Sequence, residues 1–131
     1  MMLGIIGAMD EEVLEIKNAL TDVSVETVTG MDFYRGKVNG KEVVVVRSGI
    51  GKVNAAVCSQ ILVDRFGVEA IVNTGIAGSL RAEINIGDIV LSTDSVQHDM
   101  DATGFGYPAG QIPRMDTFAF PADEKLLNLA K

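Results

Sequence analysis

Glu12 is the residue of this sequence that is best placed for acid–base chemistry. It follows the apolar run 2–6, which predicts a buried strand, and it opens a helical pattern of apolar residues: Val13, Ile16 and Leu20. In open α/β sheets, ligands bind beyond the carboxyl ends of the strands, so an acid at this junction is a candidate catalytic group. A structural interpretation stays open beside it. Asp10 would cap the helix, and an acid at position 12 would suit the helix dipole.

Two glycine-rich turns predict the rest of a ligand pocket. One spans 74–78, Thr-Gly-Ile-Ala-Gly, and follows an apolar run, 70–72, that we expect to form a strand buried on both faces. The other spans 48–52, Ser-Gly-Ile-Gly-Lys, and follows the apolar run 43–46. Small residues let backbone N–H groups approach a ligand with no side chain in the way. Either turn could simply reverse the chain, but their repetition after apolar strands favours the pocket.

The glycine patterns differ from the established phosphate-binding fingerprints. Neither Gly-x-Gly-x-x-Gly nor Gly-x-x-x-x-Gly-Lys-Ser occurs, so we expect no nicotinamide or other cofactor. His98 stands near two acids, Asp99 and Asp101, but no second histidine or cysteine cluster supports a metal site there. We therefore expect no metal and interpret His98 as a hydrogen-bonded structural residue.

Composition narrows the class of protein. The 131 residues suffice for one domain with a core, and 47% of them are hydrophobic. The net charge of −7, from 18 acidic and 11 basic residues, argues against binding to nucleic acid. The single cysteine, Cys58, excludes an intrachain disulfide and fits a reducing cytosol. With no leader-like or membrane-length apolar segment, we expect a single cytoplasmic domain over 1–131 that does not contact membranes.

The remaining patterns predict an α/β fold with a mixed sheet. Three strand-like runs occupy 23–28, 33–38 and 42–47, and Asn39-Gly40 between the last two is a strong hairpin signal. A helix follows, with a predicted core stripe of Val53, Val57 and Ile61 and a stop at Gly67. Further on, 89–96 predicts a long strand, 103–113 a loop rich in glycine and aromatics, and 124–130 a helix opened by Asp123. The aromatic loop indicates a subunit contact or a ligand lid, unless its rings only cover the edge of the core.

Four motifs carry a family resemblance, in order and at the family's spacing: 4–13, 48–56, 73–78, and His98-Asp99 together with 105–107 and 110–113. They resemble the bacterial methylthioadenosine/S-adenosylhomocysteine nucleosidases over the whole chain. The resemblance implies a nucleoside phosphorylase-like fold, a three-layer α/β/α sandwich with a mixed central sheet.

The resemblance also implies an activity. Water would cleave the bond between adenine and ribose in 5'-methylthioadenosine or S-adenosylhomocysteine, a step of methionine salvage and the methyl cycle. Such a reaction has an oxocarbenium-like transition state and needs a base for water and an acid for the leaving group. By resemblance the base is Glu12. The implied substrate-binding residues are Met9, Ile50, Ile76, Ala77 and Gly78.

The resemblance further implies a homodimer. Phe105, Tyr107 and Pro113 match residues that the family donates to the neighbouring subunit's pocket.

The sequence departs from the family in two ways that matter. Position 76 is Ile where some members carry Ser, which removes a polar contact, and the family continues well beyond Lys131. Its later half supplies the adenine-binding backbone, a Met-Glu pair for the ribose hydroxyls and the Asp that protonates adenine. We therefore expect a C-terminally truncated chain that is a poor catalyst or none by itself.

Two alternative functions stay open. A purine nucleoside phosphorylase-type enzyme would use phosphate as nucleophile, and an acid-rich helix start at Glu12 would repel that anion. A non-catalytic fragment or oligomerisation module would keep the interface loop without the chemistry. Dependence on phosphate separates the first alternative from hydrolysis, and any turnover excludes the second. The sequence does not decide between methylthioadenosine and S-adenosylhomocysteine as preferred substrate.

Overall fold

The computed structural model describes residues 1–131. Its internal contacts divide the chain into two compact units, Met1–Gly78 and Ser79–Lys131. The expectation of a single domain over 1–131 stays a prediction.

The first unit is built on a five-stranded mixed sheet with the order β2-β3-β4-β1-β5. Its elements are β1 (Leu3–Gly7), α1 (Asp10–Asn18), β2 (Thr21–Val28), β3 (Met31–Val38), β4 (Lys41–Arg47), α2 (Lys52–Phe66) and β5 (Ala70–Asn73). Strand β1 pairs in parallel with β4 and β5, while β2, β3 and β4 form antiparallel pairs. The predicted mixed sheet is therefore confirmed.

Two tight turns create the antiparallel part of the sheet. Asn39 and Gly40 have φ values of 50° and 75°, as the predicted hairpin requires. A second turn of the same kind joins β2 to β3, where Thr29 and Gly30 have φ values of 52° and 78°. The first turn was predictable from its Asn-Gly pair; the second uses a threonine, which rarely adopts positive φ and so gives no signal in the sequence.

Strand β4 holds the layers together because its valines point to both faces. Val44 and Val46 join one cluster with Cys58 and Leu62 of α2. Val43 and Val45 belong to a second cluster, with Val13 of α1 and Leu20 just after that helix. The two helices therefore cover opposite faces of the sheet, which confirms the predicted α/β/α sandwich. The predicted burial of the run 43–46 on both faces is also confirmed, since every one of these valines is buried.

Strand β5 departs from its predicted burial. The apolar run 70–72 does form a strand, but Val72 is exposed, and so is Asn73 at the strand's end. Within this chain, β5 stands at the end of the strand order and pairs only with β1. An apolar run fits a strand buried on both faces, but it does not reveal whether a further layer covers that strand.

The predicted core stripe of α2 was wrong for two of its three members. Val53 is 74% exposed and Val57 41% exposed, whereas Cys58 and Leu62 are fully buried. Ile61 does pack against the core, beside Leu62. Both stripes have helical spacing, so periodicity alone could not choose between them. The predicted stop was right: Gly67 caps the helix with φ of 65°, a left-handed conformation that suits glycine.

The second unit contains little regular structure. It comprises β6 (Asp94–Ser95), a 3-10 turn (Thr103–Phe105), β7 (Phe120–Pro121) and α3 (Glu124–Ala130). The last helix and its Asp123 cap, which accepts the Leu126 N–H at 2.8 Å, are confirmed. The long strand predicted over 89–96 was wrong, because only positions 94 and 95 find a partner strand. None of the helices combines the length and apolar character that crossing a membrane requires.

A pair of substitutions on α2 tests the corrected core. Leu62→Ala should lower the free energy of unfolding by about 2–5 kcal/mol, because it opens a cavity beneath the sheet. Val53→Ala should change it by less than about 0.5 kcal/mol, because its side chain is exposed. Chemical denaturation measures both values. Equal losses in the free energy of unfolding for the two variants would show that Val53 is part of the core.

Candidate active site

Three turns meet at one edge of the sheet because β4, β1 and β5 run parallel. At the end of β4, the Ser48 N–H donates to the Gly7 carbonyl at 2.9 Å. At the end of β5, the Thr74 N–H donates to the Ile6 carbonyl at 2.9 Å. These bonds continue the parallel ladders past the last strand residues. They bring the turn after β1 next to both glycine-rich turns, as the sequence predicted.

The Glu12 carboxylate lies where these turns meet. Its Oε2 accepts hydrogen bonds from the backbone N–H groups of Ala8 at 2.7 Å and Met9 at 3.0 Å. Its Oε1 accepts the Ile76 N–H at 3.1 Å, although Ile76 is 64 residues further along the chain. The carboxylate thus joins the first turn of α1 to the turn after β5.

These hydrogen bonds lower the pKa of Glu12 below its ordinary value of 4.5. The bond from Ile76 contributes most, followed by that from Met9; desolvation acts in the opposite direction, and the bond from Ala8 adds to the lowering. Donors aimed at a carboxylate stabilise its ionised form. Glu12 is therefore an anion at neutral pH. A carboxylate has about four acceptor positions, so one stays available on Oε1 for a further donor such as water.

The start of α1 corrects one detail of the sequence analysis. The capping position is Met9, and Asp10 is the first residue of the helix, so Asp10 is not the cap. Its carboxylate instead forms ion pairs with Arg47 at 3.3 Å and Lys17 at 4.0 Å. The capping function belongs to Glu12, whose side chain accepts the Met9 N–H. The structural and the catalytic interpretations of Glu12 are therefore compatible.

The predicted substrate-binding residues all lie on these turns. Met9 is half-buried beside Glu12, while Ile50, at 75%, and Ile76, at 84%, are largely exposed. Ala77 and Gly78, further along the turn after β5, are also exposed. Within the first unit the edge is thus an open surface of backbone and apolar side chains around one carboxylate. The binding roles of these residues stay predictions.

Sequence reasoning missed the residues that hold the 48–51 turn in shape. The Asn54 side-chain amide donates to the Ile50 carbonyl at 2.8 Å. The Ser48 hydroxyl donates to the Gly49 carbonyl at 2.9 Å. Both residues belong to the second of the four motifs, but their types are common in turns and carry no distinctive signal by themselves.

The aromatic loop belongs to the second unit. Phe105 is 87% exposed at the end of the 3-10 turn, whereas Tyr107 and Pro113 are half-buried. The Tyr107 hydroxyl accepts the Arg114 N–H at 3.3 Å. The Gln111 side-chain amide donates to the carbonyls of Ile112, Met115 and Thr117. The loop is therefore held by its own hydrogen bonds while presenting a phenyl ring outward, which does not fit a ring that only covers the core edge.

His98, interpreted above as a hydrogen-bonded structural residue, lies at the surface. Its side chain is 91% exposed, and its Nδ1 lies 4.0 Å from the Asp99 carboxylate. The chain holds no group of three or more His, Cys, Asp or Glu side chains arranged to bind a metal ion. His98 lies in the second unit.

Comparison with known proteins places this chain in a family. The model of the phosphorylase superfamily matches residues 2–131. The chain belongs to that superfamily. A 5'-methylthioadenosine/S-adenosylhomocysteine nucleosidase of Staphylococcus haemolyticus is 51% identical over 126 residues, which are 96% of this chain and 55% of that protein. One from Marinomonas is 49% identical over 130 residues, 99% of this chain and 56% of that protein.

Solved structures agree with the sequence comparison. The nucleosidase of Colwellia psychrerythraea, in complex with adenine, has a TM-score of 0.96 at 46% sequence identity. The match covers 99% of this chain and 53% of the Colwellia chain. That of Neisseria meningitidis, in complex with methylthio-immucillin-A, has a TM-score of 0.94 at 36% identity, with 98% and 55% covered. These likenesses confirm the resemblance and the phosphorylase-like fold. The chain spans about half the length of the curated relatives it matches.

The pH dependence of stability tests the Glu12 hydrogen bonds. The pKa of Glu12 is lower in the folded than in the unfolded chain, so ionised Glu12 stabilises the fold. This contribution to the free energy of unfolding is fully present above about pH 4.5 and is lost as the pH falls through the pKa of the folded state. Glu12→Gln should therefore reduce the free energy of unfolding more at pH 7 than at pH 3. Urea denaturation at both pH values measures the difference. Glu11→Gln, in the same helical turn, controls for the loss of one negative charge; a Glu12→Gln effect that does not vary with pH would contradict the assignment.

Proposed function

We propose that this chain contributes the water-activating part of a nucleosidase. The reaction is hydrolysis of the adenine–ribose N-glycosidic bond of 5'-methylthioadenosine and S-adenosylhomocysteine, with release of adenine. The observation that carries the proposal is the Glu12 carboxylate, ionised and held by three backbone N–H groups at the carboxyl edge of the sheet. The names of the relatives and the adenine complex of the Colwellia protein support the substrate class.

Glu12 is suited to act on water. Hydrolysis of a glycosidic bond needs a group that orients water toward the sugar and takes its proton as the oxocarbenium-like transition state collapses. An anionic carboxylate with one acceptor position open can receive a water O–H, and its fixed direction aims the water oxygen. The acid that protonates adenine is a separate requirement of the reaction, and none of this chain's residues is proposed for it.

The residues around Glu12 would supply the walls for the nucleoside. Met9 and Ile50 offer a thioether and a branched aliphatic side chain that suit an alkylthio group. Ala77 and Gly78 are small enough to let the nucleoside lie against the backbone of the turn. Ile76 presents an apolar side chain and uses its N–H for Glu12.

We further propose a cytoplasmic homodimer without a cofactor. Phe105, Tyr107 and Pro113 would contact the partner subunit and complete its pocket, because an outward phenyl ring on a self-bonded loop is suited to burial at an interface. The acidic net charge of −7 supports a small-molecule substrate over nucleic acid. The one cysteine is free and buried, which fits a reducing compartment.

The superfamily's name raises phosphorolysis as the second candidate. Phosphate as nucleophile would need cationic groups around it. The edge instead presents the Glu12 anion, and the first turn of the same helix holds a further exposed acid, Glu11. Like charge disfavours an incoming phosphate, so hydrolysis is the better-supported reaction.

The replacement of one carboxylate tests the reaction. In the full-length gene product, Glu12→Gln should lower kcat for methylthioadenosine by about 10²–10⁴-fold, because it keeps the shape and removes the basicity. Glu11→Gln, the same change one residue earlier on the exposed face, should leave kcat unchanged. Adenine release is measured with and without phosphate. Retained kcat in Glu12→Gln would refute the role, a requirement for phosphate would favour phosphorolysis, and no turnover from the wild type would favour a non-catalytic protein.

Assembly is tested separately by ultracentrifugation. We expect a dimer at tens of micromolar, on the order of ordinary assay conditions. Phe105→Ala should weaken it, since buried aromatic residues supply much of an interface's affinity. Phe118→Ala, on another exposed ring of the same unit, is the matched control. A monomeric wild type at this concentration, or equal effects of the two variants, would count against the assigned interface.

A further inference from the structure

The backbone of Gly75 lies so close to the Glu12 carboxylate that the Cβ of any other residue type would clash with it. A Cβ built on Gly75 would lie 2.6 Å from the carboxyl carbon of Glu12 and 3.1 Å from its Oε2, and closer still to Oε1. Contacts under about 3.0 Å are essentially never made by real Cβ atoms. The space that a side chain would take at position 75 is therefore filled by the Glu12 carboxylate itself.

The neighbouring glycines show that this contact is specific. A Cβ on Gly78, three residues further along the same turn, would meet nothing within 4 Å. A Cβ on Gly7 would also press on Glu12, at 2.9 Å from its Cβ, but it would equally strike Val13, which is fully buried. Gly7 thus serves core packing as well. At Gly75, the three heavy atoms nearest to the built Cβ all belong to the Glu12 carboxyl group.

We propose that Gly75 is a positioning residue for Glu12: its missing side chain lets the carboxylate stand against the turn after β5 and receive the Ile76 N–H. This inference rests on the proposed function, in which Glu12 activates water. The contact also determines which oxygen of the Glu12 carboxylate can bind water. Oε2 already accepts two N–H groups and Oε1 accepts one, so the open acceptor position belongs to Oε1, the oxygen that faces Gly75 and Ile76. A side chain at position 75 would displace the very oxygen that is left to bind water.

NMR titration of the full-length gene product tests the positioning without reference to turnover. With carboxyl-labelled glutamate, the Glu12 signal is identified by its loss in Glu12→Gln. In the wild type, the Ile76 amide proton should shift with the same midpoint as the Glu12 carboxyl carbon, and that midpoint should lie below 4.5. In Gly75→Ala, the Ile76 amide should stop following Glu12, and the Glu12 midpoint should move upward, because the largest cause of its lowering is lost. Gly78→Ala is the matched control and should keep both signatures.

Two results would overturn the proposal. One is a Gly75→Ala variant that keeps the wild-type midpoint and the Ile76 response. The other needs no variant, so it applies even where Gly75→Ala fails to fold: a wild-type Ile76 amide that does not follow the Glu12 titration.

The pH profile of activity then connects the positioning to catalysis. Gly75→Ala should lower kcat by about 10²-fold, the loss that a misplacement of roughly 1 Å can cause. The acidic limb of its kcat/KM profile should move to higher pH, because an ionised base is needed and its pKa has risen. An unmoved acidic limb would contradict the proposal. If Glu12→Gln keeps its kcat while the coupled titration of Glu12 and Ile76 is present, the proposed function fails and the positioning by Gly75 stands.

Discussion

One hydrogen bond, from the Ile76 N–H to the Glu12 carboxylate, joins parts of the first unit that the chain itself keeps far apart. It is possible only because β1 runs parallel between β4 and β5, which places the ends of all three strands at one edge. The parallel pairing in turn depends on the burial of β4, whose valines pack under α1 on one face and α2 on the other. The geometry of the carboxylate therefore depends on the whole sandwich, although only three hydrogen bonds hold it directly.

The same hydrogen bonds impose a chemical compromise on Glu12. Three donors lower its pKa, and a weaker base takes a proton from water less readily. In exchange, the donors fix the plane of the carboxylate and leave one acceptor direction on Oε1 open. In the proposed reaction Glu12 therefore combines the removal of a proton from water with orientation of that water and a fixed negative charge near a cationic transition state. Exclusion of water by a bound nucleoside would act against the lowering, because desolvation raises the pKa of a carboxyl group.

The apolar residues at this edge contrast with those of the core. Ile50, Val53 and Ile76 are largely exposed, while the valines of β4, with the same apolar character, are buried. The difference lies in their position: β4 has strands on both sides and helices on both faces, whereas Ile50 and Ile76 lie in turns beyond the strand ends and Val53 lies in the first turn of α2. Exposed apolar side chains around a charged group are typical of a surface that binds a partly apolar ligand or another protein surface. The site thus combines a rigid polar centre with an apolar surround.

The sequence by itself determined the type and order of the strands and helices in the first unit, the Asn-Gly hairpin and the helix stop at Gly67, because turn chemistry and apolar periodicity act over a few residues. It also brought Glu12 and the two glycine-rich turns together, through the rule that parallel strands collect their ends at one edge. Only the tertiary structure decided which stripe of α2 is buried, that β5 pairs with β1 alone, that just positions 94 and 95 of the run 89–96 pair with another strand, and that Ile76 binds Glu12. These outcomes depend on neighbours distant in the chain, and no local pattern of residue types records them.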